Sequence, residues 1–451
     1  MRRLADEAMR RIVDHIESLP QQPAGNVEGA AEFSRTLIEP MPRRGVAYET
    51  LLDQLFDEYV PRSFNAPGPG YLAYIPGGGI FHAAIADLIS DAVNRYTGVF
   101  AAAPALVQLE ANVIRWFCEI IGYGHGSGGI LTTGGSLANF TAIVAARKTL
   151  LPDNFFRGTL YCSSQVHHSF QKAANLAGFP YENIREVACD GKFRIRVDAL
   201  EDAIVRDQRA GFTPFLVVGS AGTTNTGAVD DLDALARVAK TNKMWFHVDG
   251  AYGAFFMLTE RGRRGMRGIE HADSVVLDPH KTFFLPYGTG GLVVKDASTL
   301  RRAHSLHAEY LPEMQREEEL IDFCEISPEL SRDFRGLRVW LPVKMFGIDV
   351  FAQQLDEKLD LTEWATEELR KIDEIEIVAE PQLSIVAFRL KGSNERNREF
   401  LERINARKRV MLTPTIIDGQ FILRICVVSF RTHMDRMQMA IDDIRASARE
   451  V

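Results

Sequence analysis

The stretch MWFHVDGAYG, residues 244–253, joins a short, mostly apolar run to an aspartate and a series of small residues. Five further apolar runs occur in the middle of the chain, at residues 128–131, 158–162, 214–219, 273–278 and 290–294. Helical patterns such as DLDALARVAKTN separate these runs. Continuous β-rich runs are typical of strands buried on both faces, and their alternation with helices favours parallel pairing. The sequence therefore predicts an α/β fold with a mostly parallel central sheet and helices on both faces.

The chain on either side of these runs has a different pattern. Residues 1 to about 60 predict two amphipathic helices, the second through YETLLDQLFDEYV, joined by the link LPQQPAGN. After about residue 345, helices alternate with a few strands (EIEIVAE, SIVAFRL and FILRICVV), which predicts a smaller C-terminal α+β domain. We therefore expect an N-terminal helical segment (1–62), a large domain (63–345) and a small domain (346–451).

Composition limits the classes of function. The chain has 451 residues, 46% of them hydrophobic and 25% charged, as expected of a soluble globular protein. A net charge of −8 gives no reason to expect nucleic-acid binding. The five scattered cysteines include no CxxC pair, which argues against a disulfide framework and a zinc site. The sequence has no apolar core typical of a signal peptide and no apolar run long enough to span a membrane. We therefore expect a cytoplasmic protein that binds neither a metal ion nor a membrane.

The residues that follow the predicted strands are candidates for chemistry, since ligands of open α/β sheets bind beyond the carboxyl ends of the strands. Asp249 ends one run, and Lys281 follows another in DPHKTFF. The segment TTGGSLANF places Gly135 and Ser136 ahead of an amphipathic helix, whose N-terminus favours an anion. Taken singly, these features have ordinary explanations: a turn aspartate, a surface lysine and a capped helix start.

In combination they match the needs of pyridoxal phosphate, which requires a phosphate seat, an acidic partner for its pyridine nitrogen and a lysine for a Schiff base. Adjacent histidines, His167 and His168, follow a further strand in SSQVHHSF. On a helix or turn they point to different faces, so both cannot serve one site. One of them could stack on an aromatic cofactor.

In the motifs HVDGAYG, DPHK and SSQVH, the chain resembles the group II pyridoxal-phosphate decarboxylases. This is the family of aromatic-L-amino-acid, glutamate and histidine decarboxylases. The resemblance runs from the N-terminal helices to FILRICVVSFRTH. It implies the fold of the PLP-dependent transferases (fold type I), a pyridoxal 5'-phosphate cofactor and a homodimer. In such a dimer the N-terminal helices would pack across the two subunits, and the substrate pocket would be shared between them.

The resemblance also implies roles for the strand-end residues. Lys281 falls at the position of the lysine that forms the Schiff base, with His280 beside it near the phosphate. Asp249 resembles the carboxylate that keeps the ring nitrogen protonated. Ala251 would pack under the ring, and His167 would stack over it.

Four further positions follow from the resemblance. Gly135 and Ser136 fall at phosphate-binding positions, and Thr224 in GSAGTT matches another cofactor contact. Tyr310, in HAEYLP, falls where the family carries a tyrosine thought to protonate the substrate carbon after carbon dioxide leaves. The polar, poorly periodic residues that follow Tyr310 are typical of an active-site lid.

Two regions depart from the family pattern. Where the family often has an asparagine three residues before the lysine, this chain has Asp278, whose carboxylate would repel a nearby phosphate unless it is neutralised or turned away. The family's substrate-pocket positions correspond to Tyr74, Ile75, Pro76, Tyr96, Gly98 and Phe100. Ala66 and Gly98 replace bulkier aromatic residues there, while Tyr96 and Phe100 offer aromatic surface nearby.

The resemblance, with Tyr310 and His167 both present, implies decarboxylation of an L-amino acid to an amine and carbon dioxide. Tyr74, Tyr96 and Phe100 favour an aromatic substrate. The alternatives are a decarboxylase of an acidic or diamino acid (glutamate, aspartate or 2,4-diaminobutyrate) and an aldehyde-forming oxidative decarboxylase. Arg95 is the one candidate for binding a distal carboxylate in the pocket segments. The arginine pattern of aminotransferases is absent from the sequence, and a non-catalytic homologue would need none of Lys281, Asp249, His167 and Tyr310.

Overall fold

A computed structural model describes residues 1–75, 77–305 and 320–451 of the chain. The large sheet has the strand order β1-β7-β6-β5-β4-β2-β3. Its strands are β1 (Gly128–Thr132), β2 (Gly158–Ser163), β3 (Ile184–Val187), β4 (Thr213–Ser220), β5 (Trp245–Asp249), β6 (Ser274–Leu277) and β7 (Gly290–Val294). The pairs from β3 through β2, β4 and β5 to β6 are parallel, and only β7 runs against its two neighbours. The predicted mostly parallel sheet is confirmed.

Helices cover both faces of this sheet, and every residue of β5, β6 and β7 is therefore buried. The helices before and between the strands are α4 (Phe81–Val93), α5 (Pro104–Ile121), α6 (Gly135–Leu150), α7 (His168–Leu176), α8 (Val197–Arg209), α9 (Leu232–Asn242) and α10 (Glu260–Gly265). Those after the last strand are α11 (Ser298–His304), α12 (Phe323–Ile326) and α13 (Gly336–Phe346). Helix α6 packs against five strands of the sheet and carries the Gly135 segment at its start.

The N-terminal segment contains one helix more than the sequence predicts. The helices are α1 (Arg2–Ser18), α2 (Ala30–Thr36) and α3 (Tyr48–Asp53), and a π-helical turn (Gln54–Tyr59) continues α3. Helix α2 has only 7 residues, too few for a periodic pattern to be recognised. Neither α1 nor α2 contains a buried residue, so this segment contributes little to the core of its own chain.

The C-terminal part is the predicted smaller α+β unit. Its antiparallel sheet has the order β10-β11-β9-β8, with β8 (Ile375–Ala379), β9 (Ile385–Leu390), β10 (Thr413–Ile417) and β11 (Gln420–Cys426). The helices α14 (Ile348–Arg370), α15 (Asn394–Ala406) and α16 (Met434–Ala448) accompany it. Phe388, Phe400, Leu423 and Ile441 are all fully buried in its separate apolar core.

Hydrogen bonds connect the small sheet to loops at the carboxyl ends of the large one. Arg424 on β11 donates from Nη1 to the carbonyl oxygen of Thr224 at 2.6 Å. The hydroxyl oxygen of Tyr252, just after β5, lies 2.8 Å from Oγ of Ser384. These contacts hold the loops that follow β4 and β5. In the described ranges no helix is long and apolar enough to cross a membrane.

Candidate active site

A cavity of about 340 Å³ lies at the carboxyl ends of β4, β5 and β6, against the first turn of α6. Neighbouring parallel strands end at one edge of the sheet, so the loops that follow them meet there. All eight residues predicted to bind the cofactor line this cavity: Gly135, Ser136, His167, Thr224, Asp249, Ala251, His280 and Lys281. The structure therefore brings together residues that are far apart in the sequence.

The first turn of α6 forms a wall of the cavity that suits an anion. No side chain caps the helix at Gly134, which leaves the N–H groups of Gly135 and Ser136 available to a ligand. A Cβ atom added at Gly135 would lie 2.9 Å from Oδ2 of Asp278 and 3.2 Å from Cβ of Ala251. Glycine therefore keeps the approach to these N–H groups open.

Asp249 ends β5 with its carboxylate at the cavity wall, and the residue is only 9% exposed. Its Oδ2 accepts a hydrogen bond from Nδ2 of Asn139 at 3.1 Å, and its Oδ1 accepts one from the backbone N–H of Ala251 at 3.2 Å. Across the described ranges no lysine, arginine or histidine forms an ion pair with this carboxylate. A buried carboxylate is stabilised by a positive partner, and a protonated ring nitrogen of a ligand would provide one.

Lys281 also lines the cavity and lies in the turn after β6. Its Nζ lies 3.1 Å from Oδ2 of Asp278, which is 1% exposed. The other oxygen of Asp278, Oδ1, is buried without a hydrogen-bond partner in the part of the chain that the structure describes. The carboxylate that departs from the family pattern is therefore paired with the predicted Schiff-base lysine.

His280 lies on the same turn and is mostly buried. Its Nδ1 is 2.5 Å from the carbonyl oxygen of Thr289, so Nδ1 is the protonated nitrogen when the ring is neutral. Its Nε2 lies 3.7 Å from Oδ2 of Asp278. Burial lowers the pKa of His280, which favours the neutral ring.

The adjacent histidines diverge as predicted, since His167 lines the cavity and His168 does not. His167 is the N-cap of α7, and its Nδ1 accepts from the backbone N–H of Ser169 at 3.3 Å. The same Nδ1 lies 2.7 Å from Oγ of Ser169. Although the ring is open to the cavity, neighbouring groups remove enough water from it to lower the pKa of His167.

This set of groups fits pyridoxal phosphate. The open turn of α6 suits its phosphate, the buried carboxylate of Asp249 suits its protonated ring nitrogen, and the amine of Lys281 reaches the space between them. The glycine at position 135 leaves room that a side chain would fill.

Of the predicted substrate-pocket residues, those that the structure describes do not line this cavity within one chain. Tyr74 is 51% exposed, with a positive φ of 54°. The hydroxyl of Tyr96 donates to the carbonyl oxygen of Leu330 at 3.0 Å and occupies the space that a Cβ at Gly98 would take. Ile75 and Phe100 are half-buried against the large core. Pro76 and Tyr310, both predicted site residues, lie outside the described residues.

Several cavity residues were not predicted from the sequence. Asn139, Ser169, Thr223 and Tyr252 also line it. Asn139 is one helical turn after Ser136, on a helix whose other inward residues are apolar or small. A polar side chain on the buried face of a helix is a signal that could have identified it.

Comparisons with known proteins agree with this geometry. A profile of the pyridoxal-dependent decarboxylase conserved domain matches residues 65–391. The chain is 33% identical, over 460 residues, to an aromatic-L-amino-acid decarboxylase of Bacillus atrophaeus, covering 100% of this chain and 96% of that protein.

Solved structures give the same result. The crystal structure of Oryza sativa TDC with PLP and tryptamine superposes with a TM-score of 0.95 at 25% identity, covering 100% of this chain and 97% of that one. Catharanthus roseus tryptophan decarboxylase in complex with L-tryptophan superposes with a TM-score of 0.93 at 26% identity, covering 100% and 98%. The predicted fold type I and the predicted cofactor are confirmed. The chain belongs to the pyridoxal-dependent decarboxylase family and uses pyridoxal 5'-phosphate to decarboxylate an amino acid.

Proposed function

We propose that this enzyme converts an aromatic L-amino acid into the corresponding amine and carbon dioxide, a reaction of amino acid metabolism. The observation that carries the proposal is the cavity in which Lys281, Asp249 and His167 meet the open turn of α6. Relatives and neighbours that match over nearly the whole chain are named for aromatic substrates, including tryptophan.

The cofactor would be held at both of its ends. The N–H groups at Gly135 and Ser136 would bind the phosphate, with Thr224 as a further contact. Lys281 would hold the cofactor covalently, and Ala251 would pack under its ring. Arg424 supports this arrangement from the small sheet, because it donates to the backbone of Thr224.

The chemistry that pyridoxal phosphate supplies when bound is an electron sink for the electron pair left by the departing carboxylate. Asp249 would hold a proton on the ring nitrogen, since its carboxylate is fixed by two hydrogen bonds and has no other cation beside it in the described ranges. His167 would pack over the ring and present its Nε2–H to the cavity. Tyr310 would deliver a proton to the substrate carbon.

We propose a homodimer that completes the substrate pocket. Tyr74, Tyr96 and Phe100 lie outside the cavity of their own chain, which is consistent with service at the partner's cavity. Exposed apolar side chains are concentrated on the N-terminal segment, on α4 and at the junction of α13 and α14: Leu4, Leu37, Ile38, Met41, Leu88, Ile89, Val93, Phe346 and Ile348. Apolar surface of this kind is typical of subunit interfaces.

We also propose the division into an N-terminal helical segment (1–62), a large domain (63–345) and a small domain (346–451). The large and small sheets have separate apolar cores, which supports a boundary between them. A cytoplasmic location is our further proposal. It is supported by five cysteines that all remain unpaired, as in a reducing compartment.

The substrate class is tested by measuring kcat/KM of the cofactor-loaded enzyme with aromatic, acidic and diamino L-amino acids. We expect one aromatic amino acid to be preferred by at least about a hundredfold, as expected when a matched side chain fills an apolar pocket. A preference for glutamate, aspartate or 2,4-diaminobutyrate would overturn the aromatic assignment. Aldehyde in place of amine would move the enzyme to the oxidative alternative.

A further inference from the structure

Behind the cavity, a line of buried hydrogen bonds leads from the sheet to Asn139. The indole Nε1–H of Trp245 donates to Oγ of Ser274 at 2.8 Å, and this Oγ lies 2.7 Å from Nδ1 of His247. Nε2 of His247 is 2.8 Å from Oδ1 of Asn139. His247 and Ser274 are partners in the register of β5 and β6, and both are fully buried. The line is therefore built into the sheet itself.

The donor and the acceptor of each hydrogen bond in this line follow from Asp249. Asp249 can only accept, so the group that Asn139 directs to it must be Nδ2, and Oδ1 must face His247. His247 then donates from Nε2, which leaves Nδ1 to accept from the hydroxyl of Ser274. Burial lowers the pKa of His247 to about 4, which is consistent with a neutral ring of this tautomer.

At Asn139 the line divides into two branches. Its Nδ2 donates to Oδ2 of Asp249 at 3.1 Å and to Oγ of Ser169 at 3.1 Å. The Ser169 hydroxyl is then free to donate to Nδ1 of His167, 2.7 Å away. The backbone N–H of Ser169 also donates to that nitrogen, so Nδ1 of His167 is an acceptor and its proton is on Nε2.

We propose that Asn139 is a positioning residue that orients the carboxylate of Asp249 toward the cofactor ring and, through Ser169, fixes the tautomer of His167. The inference rests on the proposed roles of Asp249 and His167. One amide group, oriented by His247, thereby serves two residues that line the cavity.

The amide is suited to this task because it is 1% exposed and all of its polar atoms are used. Its bond to Asp249 is assisted by charge, and such bonds are stronger than neutral ones. Removing the amide would leave a buried carboxylate with one donor among the described residues, the N–H of Ala251. A less firmly oriented carboxylate would interact less well with a protonated ring nitrogen.

The test compares binding of pyridoxal phosphate with binding of its analogue in which carbon replaces the ring nitrogen. Dissociation constants are measured for the wild type and for Asn139→Leu, which is similar in size and has no donor. Asn139→Ala is the second variant, because it loses both donors without placing a second carboxyl group beside Asp249. Thr141→Val is the matched control, since Thr141 is fully buried two residues further along α6 and its hydroxyl donates to the carbonyl oxygen of Leu137 in the same helix. Asp249→Asn is the reference for loss of the ring-nitrogen interaction.

We expect the wild type and Thr141→Val to bind pyridoxal phosphate about tenfold or more tightly than the analogue, as a hydrogen bond to a charged group would provide. Both Asn139 variants should lose most of this preference. If Asp249→Asn loses the preference and the Asn139 variants keep it, Asn139 is only a packing residue and the proposal is wrong. If Asp249→Asn also keeps the preference, the proposed role of Asp249 fails, and the proposal fails with it.

The second branch is tested with Ser169→Ala. This variant removes the hydroxyl group that joins Asn139 to His167, keeps the backbone N–H that also donates to Nδ1 of His167, and leaves the amide bond to Asp249 in place. We expect its preference for pyridoxal phosphate over the analogue to stay within about twofold of the wild type, while kcat falls by about tenfold. If Ser169→Ala lost the preference for pyridoxal phosphate, the proposal that the two branches act separately would be wrong.

Discussion

Nζ of Lys281 lies 3.1 Å from Oδ2 of Asp278, a carboxylate that is almost wholly buried at the floor of the cavity. The same oxygen would lie 2.9 Å from a Cβ atom at Gly135, so the carboxylate borders the proposed phosphate seat. One acidic group thus pairs with the lysine and adjoins the anion site. In the cofactor-free chain the ion pair with Lys281 compensates the charge of this carboxylate, which stands where the family often has an asparagine.

Asp278→Asn should therefore bind pyridoxal phosphate more tightly than the wild type, by about tenfold. The substitution removes a negative charge beside the phosphate seat, and charges this close interact by more than 1 kcal/mol even under partial screening. Equilibrium dialysis of the apoenzyme measures the change. Weaker binding would show that the carboxylate itself helps to hold the cofactor.

Lys281→Ala should reduce turnover by at least about a thousandfold and abolish the visible absorption band of the bound cofactor, because no other amine lines the described cavity. Lys172→Ala is the matched control, since Lys172 is exposed on α7 and lies outside the cavity. Its activity and spectrum should equal those of the wild type. Substantial activity in Lys281→Ala would mean that the lysine is assigned wrongly.

Tyr310→Phe should shift the products from amine toward aldehyde and peroxide. If the phenol delivers the proton to the substrate carbon, its loss leaves that carbon open to oxygen. Product analysis by chromatography, with peroxide measured in parallel, tests this. Tyr181→Phe, an exposed tyrosine outside the cavity, should leave the products unchanged. Unchanged amine formation in Tyr310→Phe would exclude the phenol as the proton donor.

The buried histidine behind the cavity should make folding sensitive to mild acid. The pKa of His247 falls from its ordinary 6.5 to about 4 on burial, so below pH 6.5 the unfolded chain binds a proton that the folded chain does not. The stability contributed by the neutral ring is present above pH 6.5 and is lost progressively as the pH falls toward 4. Between pH 7 and pH 5 the loss amounts to about 2 kcal/mol.

His247→Gln removes this titration while keeping a polar group in the line of hydrogen bonds. Urea unfolding should show that the variant loses less stability than the wild type between pH 7 and pH 5, whatever its stability at pH 7. Parallel pH dependence in the two proteins would mean that folding does not lower the pKa of His247.

The central sheet and the candidates Gly135, Asp249 and Lys281 follow from local sequence patterns, whereas the proposed roles of His167, Thr224, Ala251 and His280 depend on the family resemblance. Asp249 and Lys281 directly follow buried strands, and the strand ends converge at one edge of the sheet. Short edge strands were harder to predict. β3 includes the charged Arg185 and Glu186, and β10 contains Pro414, so neither has the continuous β-rich pattern of a buried strand.

The network behind the cavity could not be predicted in this way. Asn139, His247 and Ser274 come from three elements, and their contacts depend on how α6 packs on the sheet. The sequence also could not show that Tyr96 folds over Gly98 instead of lining the cavity. Because Tyr96 does not line the cavity of its own chain, its predicted role would be at the cavity of the partner subunit in the proposed dimer.

The most direct test of the account is the ratio of carbon dioxide to amine released from an aromatic L-amino acid by the cofactor-loaded enzyme. L-tryptophan, L-tyrosine, L-phenylalanine and L-DOPA are each supplied with the carboxyl carbon labelled, and both products are counted. We predict equal amounts of amine and labelled carbon dioxide from at least one of them, and neither product with Lys281→Ala. Release of no carbon dioxide from any of the four, or of carbon dioxide without amine, would contradict the proposed reaction.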